Sequence, residues 1–117
     1  EAIAFANAHV IEDIGKWFHV EKPETVKISG GVAQEELLGQ LIANVVGTKV
    51  EKPVSLEASA IGAAEFAGIY TGIYTLEDIP RLLTVEKVYE PDANAQKDAE
   101  TYEKWKKVIE RTTKWEF

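Results

Sequence analysis

Residues 25–47 read TVKISGGVAQEELLGQLIANVVG. A β-branched run, Thr25, Val26 and Ile28, meets the glycine pair Gly30-Gly31. A helical pattern follows, with Leu37, Leu38, Leu41, Ile42 and Val45 on one face. Strand, glycine turn and helix in direct succession suit the handling of a nucleotide. Glycine lets backbone approach a ligand closely, and a helix start offers free N–H groups. Gly47 falls where a helix C′ glycine belongs. Gly39, in mid-helix, costs about 1 kcal/mol relative to alanine and predicts the close approach of another backbone. Thr48–Val50 reads as a second short strand ended by Lys52-Pro53. The unit is then βαβ, with parallel strands and a right-handed crossover.

Upstream, Glu1 to about Phe18 reads as an amphipathic helix. Ile3, Ala6, Val10, Ile14 and Trp17 form its apolar stripe, and Asn7, Glu12, Asp13 and Lys16 its wetter side. Lys22-Pro23 break it. The pattern is already running at Glu1 with neither Met nor a capping residue before it, which predicts a fragment of a longer protein. His9 and His19 have no Asp, Glu or His at metal-ligand spacing and read as ordinary helix or loop residues.

Downstream, Leu56–Thr71 carries Ala58, Ala60, Gly62, Ala63, Ala64, Ala67 and Gly68. Small side chains at helical spacing predict tight packing against a sheet or a neighbouring helix, or else a glycine-lined helix end near a ligand. Thr75-Leu-Glu-Asp78 has the form of a capping box opening a short helix, Leu76–Leu83, in which Pro80 sits uncomfortably beyond the first turn. Val85–Tyr89 alternates as an edge strand or extended arm, and Pro91-Asp92 turns the chain. The last helix, about Ala95–Trp115, lines up Tyr102, Trp105, Ile109 and Thr112. Its wet face pairs Glu100–Lys104, Glu103–Lys107 and Glu110–Lys114 at i,i+4. Tyr102, Trp105 and Trp115 read as packing anchors.

The 117 residues make one domain at most, with 45% hydrophobic and 28% charged residues, a globular rather than disordered composition. A net charge of −7 speaks against nucleic acid, and no basic groove accompanies the aromatic residues. From Asn94 onward six Lys/Arg meet five Asp/Glu, so the acidity lies upstream. No cysteine is present, which removes disulfides and thiolate chemistry and suits a reducing cytoplasm. No apolar run reaches membrane-spanning length. Internal repeats and low-complexity segments are absent.

Several segments then fall into a familiar order. ISGGVAQEELLGQLIANVVGTKVEKP resembles the adenosine-side segment of the FGGY carbohydrate kinases: a hydrophobic strand, (D)GG, an Asn-containing helix start, then Q…AD(I/V)xGxPV.RP. EASAIGAAEFAGIYTGIY resembles the family's (A)LGAAxLAGxxxGxW segment. YEKWKKVIERTTKWEF resembles its closing helix, above all in the glycerol kinase-like members. EAIAF resembles the end of the family's C-terminal signature. The resemblance covers essentially the whole chain.

It implies an α/β fold: part of a ribonuclease-H-like lobe of the actin/Hsp70/hexokinase type, with short parallel strands and packed helices. Residues 1–117 would be a single-domain fragment from the distal, nucleotide-side part of the C-terminal lobe. The implied activity is ATP-dependent phosphorylation of a sugar or polyol hydroxyl, with ATP and Mg²⁺ as cofactors and a homo-oligomer left open. The sugar pocket, catalytic aspartate and main phosphate loops would lie upstream, so neither a catalytic residue nor a metal ligand is expected here. Gly30, Gly31 and Val32 would line the nucleotide, and Glu35 falls where the family commonly has an adenine-side Asn. Ser29 replaces the usual Asp, and Glu35-Glu36 replace a frequent Asn-Asn. Carboxylates there suit the helix dipole but repel phosphate, so either the loop faces base and ribose or the two glutamates only stabilise the helix start. The other readings are a stand-alone α/β binding module and an acidic adaptor offering Tyr102–Trp115 to a partner.

Overall fold

β1 (Thr25–Lys27) and β2 (Lys49–Pro53) pair in parallel, with Thr25 opposite Lys49, Val26 opposite Val50 and Lys27 opposite Glu51. The computed structural model describes residues 1–113. In chain order it comprises α1 (Ala2–Phe18), β1, a 3₁₀ turn (Gly31–Gln34), α2 (Glu36–Val46), β2, α3 (Ala58–Tyr70), α4 (Ile79–Leu82), β3 (Val85–Tyr89) and α5 (Ala95–Thr112). The three strands form one sheet in the order β1-β2-β3, with β3 antiparallel to β2. The expected parallel pair therefore gains an antiparallel edge strand. Lys114 and Trp115, at the end of the anticipated last helix, lie outside the described residues.

β2 does not stop before Lys52-Pro53 but runs through Pro53. A proline in a central strand needs a bulge, since it donates no ladder hydrogen bond. The register does shift between Lys52 and Pro53, and the Val54 N–H resumes pairing at the Thr84 carbonyl, 2.9 Å away. Lys52 is buried, and its ammonium meets Glu86 at 3.0 Å. Thr48 Oγ1 lies 2.7 and 2.8 Å from the Pro23 and Glu24 carbonyl oxygens, fastening the entry to β1 beside β2.

α1, α2 and α5 pack together. The core joins Phe5 and Ala8 of α1, Leu41 and Ile42 of α2, Val50, Tyr89 and Tyr102. This corrects the stripe anticipated for α1: Ile3, Val10, Ile14 and Trp17 face outward, while Ala4, Phe5 and Ala8 are buried. The reason is aromatic. Phe5 sits between Tyr102 and Trp105, with ring centroids 5.7 and 6.0 Å away, and alanines beside it let the helices close. Glu12 likewise leaves the wet side, accepting from Lys106 at 3.3 Å. His9 does have an acidic neighbour, with its Nε2 3.7 Å from Asp13, and its Nδ1 lies 3.5 Å from the Tyr102 hydroxyl. α5 is thus occupied by α1 rather than presented to a partner, against the adaptor reading. On its outer face Glu103 pairs with Lys106 at 2.6 Å and Glu100 accepts from Gln96, instead of the anticipated i,i+4 partners. α1 ends before Lys22-Pro23, at His19 in the left-handed conformation.

Gly47 takes the left-handed C-cap expected of it, donating to the Ala43 carbonyl at 2.8 Å. Gly39 does admit a close neighbour, but an aromatic ring rather than a backbone. A Cβ there would stand 2.4 Å from Tyr89 Cε2. Gly39→Ala is therefore expected to cost about 1–3 kcal/mol by overpacking, despite alanine's better helix propensity. The Tyr89 hydroxyl is buried without a hydrogen-bond partner among the described residues. Tyr89→Phe should leave stability unchanged or raise it, by about 1 kcal/mol. Thermal unfolding of both variants checks the pair of outcomes.

Leu37 faces solvent rather than joining the α2 core stripe. The anticipated Leu76–Leu83 helix begins later, at Ile79, which brings Pro80 into the tolerated first turn. Half of the capping box forms: the Thr75 N–H and Oγ1 both donate to Asp78 at 2.9 Å. α3 corrects its expectation most: among the described residues no sheet or helix packs along it, and its tight contact is Gly68 against the Tyr74 ring. Gly68 is its one buried residue.

Candidate functional site

The chain leaves β1 with the Ile28 N–H bonded to the Glu51 carbonyl at 3.0 Å, still in the ladder. It turns at Gly30, where φ is 86° and ψ 172°, a backbone that side chains rarely adopt. The Gly30 N–H donates 2.9 Å to the Leu56 carbonyl, clamping the turn to the segment that follows β2. The 3₁₀ turn then closes through Ala33 N–H to Gly30 O at 3.0 Å and Glu35 N–H to Val32 O at 3.1 Å. Ala33 is buried and plugs the turn into the core, while Val32 stands exposed beside it. The turn is rigid in its hydrogen bonds and bare on its surface.

That bareness has two parts. Gly30 is required by its own backbone. Gly31 has no left-handed φ, and a Cβ on it would meet nothing within 4 Å. Nothing in the fold of this chain asks for glycine at 31.

The two glutamates separate. Glu36, in the first turn of α2, pairs with Lys87 of β3 at 2.7 Å. The Lys87 hydrogen bond, and then its charge, hold the Glu36 carboxyl below its ordinary value, and the same bond raises Lys87. Glu36 is thereby a tie between helix and sheet. Glu35 occupies the N-cap in an extended conformation without a side-chain cap, and its carboxylate has no partner among the described residues. Of the four anticipated residues, Gly30, Gly31, Val32 and Glu35, the structure places all on this one turn. The sequence pattern missed the Glu36–Lys87 tie and the Leu56 clamp. The alternation in β3 that puts Lys87 on the face opposite Val88 carried the only signal for the former.

The turn forms a ridge between two hollows. On the α1 side Ser29, Val32, Ala33, Ile3 and Asn7 line about 240 Å³. On the opposite side Ser29, Lys27, Glu51 and Glu65 help to line about 410 Å³ between the sheet, α3 and α4. The exposed groups suit hydrogen bonding to hydroxyls and amino groups, with Glu35 as acceptor. The Glu35 carboxylate on the turn disfavours phosphate there, while Lys27, at the end of β1, lines both hollows beside it. Among the described residues no three His, Cys, Asp or Glu side chains are grouped to hold a metal ion. Among the described residues no helix is long and apolar enough to cross a membrane.

Comparison with known proteins gives a consistent result. A family model described as the C-terminal domain of the FGGY family of carbohydrate kinases matches residues 1–70. Glycerol kinase 2 of Thermotoga maritima is 34% identical over 117 residues, covering 99% of this chain and 23% of that protein. A glycerol kinase of Aquifex aeolicus is 36% identical, covering 98% and 24%. The crystal structure of Plasmodium falciparum glycerol kinase with ADP superimposes with a TM-score of 0.78 at 23% identity, covering 98% of this chain and 23% of that one. The chain thus spans about a quarter of the length of these relatives. The fold is the expected part of an actin/hexokinase-type lobe.

Proposed function

Because the chain belongs to the FGGY family of carbohydrate kinases, we propose that it is the distal, nucleotide-side part of the C-terminal lobe of an ATP-dependent kinase acting on a hydroxyl of a sugar or polyol. Gly30, Gly31 and Val32 form a wall against the nucleoside, and Glu35 accepts hydrogen bonds from ribose hydroxyls or the base amino group. The triphosphate, its Mg²⁺ and the catalytic base belong to polypeptide outside these residues, so the chain alone is inactive. Phosphoryl transfer needs a metal-bound triphosphate, an in-line hydroxyl and a base, and this turn offers none of the three.

The observation that carries this reading is Gly31. A glycine that neither backbone nor packing requires is explained by a ligand lying where its side chain would be. The sequence match to glycerol kinases and the ADP bound in one structural relative support the same reading.

The test is a chimera in which this chain replaces the final quarter of Thermotoga maritima glycerol kinase 2, assayed with ATP and glycerol. Gly31→Val should raise the nucleotide KM about tenfold, with the glycerol KM unmoved. Glu35→Asn should likewise change only the nucleotide KM. The melting temperature of the chain carrying Gly31→Val should stay where it was. An unchanged nucleotide KM in both variants would remove the turn from the site. Tight, Mg²⁺-dependent ATP binding by the chain alone would contradict the assignment of the phosphate loops elsewhere.

A further inference from the structure

α3 is the part of the molecule that the fold leaves unexplained. Its thirteen residues, ASAIGAAEFAGIY, include two polar side chains, Ser59 and Glu65. A helix apolar all round belongs in an interior. Among the described residues no helix or strand makes an extended contact with it. It stands off the sheet across the 410 Å³ hollow, with Ala58, Ile61 and Glu65 on its near side. On the far side Phe66 is 73% and Tyr70 93% exposed, and Ile73 and Leu76 in the segment that follows are exposed too. Contiguous exposed apolar surface of this kind marks an interface.

Gly62 sharpens the point. It sits in mid-helix, where glycine weakens a helix, with no left-handed φ, and a Cβ on it would meet nothing within 4 Å. Gly68, by contrast, is accounted for inside the chain by Tyr74, whose ring would stand 2.1 Å from a Cβ there. Gly62 therefore has no reason within these residues. Alanines at 58, 60, 63 and 64 surround it, so that another backbone can come close.

We infer that α3 is the seat of a helix from the remaining polypeptide of the same kinase, crossing it at Gly62, with Phe66 and Tyr70 covered on one side of the crossing. The occupant follows from length: the relatives that match nearly all of this chain are about four times as long, and none of the described elements packs along the face. The inference rests on the proposed kinase reading.

The test uses one substitution, Gly62→Cys, in a chain that has no cysteine of its own, and maleimide labelling followed by mass spectrometry of the peptide holding residue 62. In the chain alone the thiol should react as a free surface thiol does. In the chimera with Thermotoga maritima glycerol kinase 2 it should react at least tenfold more slowly. Gly62→Leu should leave the melting temperature of the chain intact and remove most glycerol phosphorylation by the chimera. An active chimera labelled as fast as the chain alone overturns the inference while the kinase reading stands. A soluble chimera that does not phosphorylate glycerol overturns the kinase reading itself, and the inference with it. A chain that is protected when alone and sediments as a dimer overturns the inference in favour of a second copy as the occupant.

Discussion

Phe5→Ala is expected to destabilise the chain by about 3–5 kcal/mol, a large part of the roughly 5–15 kcal/mol that holds a domain folded. Phe5 is buried between the rings of Tyr102 and Trp105, so truncation removes aromatic contacts and leaves a void that two helices cannot close without moving. The same α1 offers an internal control. Trp17 is exposed, and Trp17→Ala should change stability by no more than about 0.5 kcal/mol. Urea denaturation of both variants measures the contrast. Equal losses would mean that the outer stripe of α1, and not Phe5, carries the packing.

Asn44→Asp is expected to cost about 3–5 kcal/mol at neutral pH, the scale of an uncompensated buried charge. Asn44 is buried and every hydrogen-bonding position of its amide is used. Its Nδ2 donates to Asp92 at 3.0 Å and Asp98 at 2.7 Å, and its Oδ1 accepts from Gln40 at 3.1 Å and the Asp92 N–H at 2.9 Å. The amide therefore bolts α2 to the start of α5. A carboxylate in its place would face two others across hydrogen-bond distance. Its folded pKa would rise above the usual value of about 3.9, so the penalty is full above that raised value and vanishes below about 3.9. Asp92 is held below its ordinary value first by the Asn94 N–H, a hydrogen bond the substitution leaves in place, so it stays charged while the new carboxyl takes the proton. Denaturation measured from pH 7 to pH 4 should show the variant recovering relative to the parent. A penalty that does not change with pH would mean that lost shape, not charge, is the cause.

The elements whose signals are local were legible in the sequence. The Thr25–Lys27 strand, the turn at Gly30, the Gly47 cap and the β3 alternation each follow from a few neighbouring residues and appear where expected. What was not legible depended on partners far along the chain. α1 carries two apolar stripes, and only the distant aromatic residues of α5 decide which one is buried. Gly39 announced a close neighbour, but that it is the Tyr89 ring depends on a strand fifty residues away. The site was legible as a turn; the division of labour between Glu35 and Glu36 was not, because Lys87 reaches only one of them. The small-residue pattern of α3 predicts tight packing, which the described residues do not supply beyond Gly68.

The aromatic seal between α1 and α5 also has a consequence for how the chain is made. Tyr102 is synthesised 97 residues after Phe5, which at about 5–20 residues per second is a wait of roughly 5–20 s. Throughout that interval the buried face of α1 has no aromatic partner, although α2 and the parallel strand pair are already available to it. α5 must emerge before α1 can seal against it, and chaperone occupancy on the nascent chain should fall when Tyr102 and Trp105 emerge.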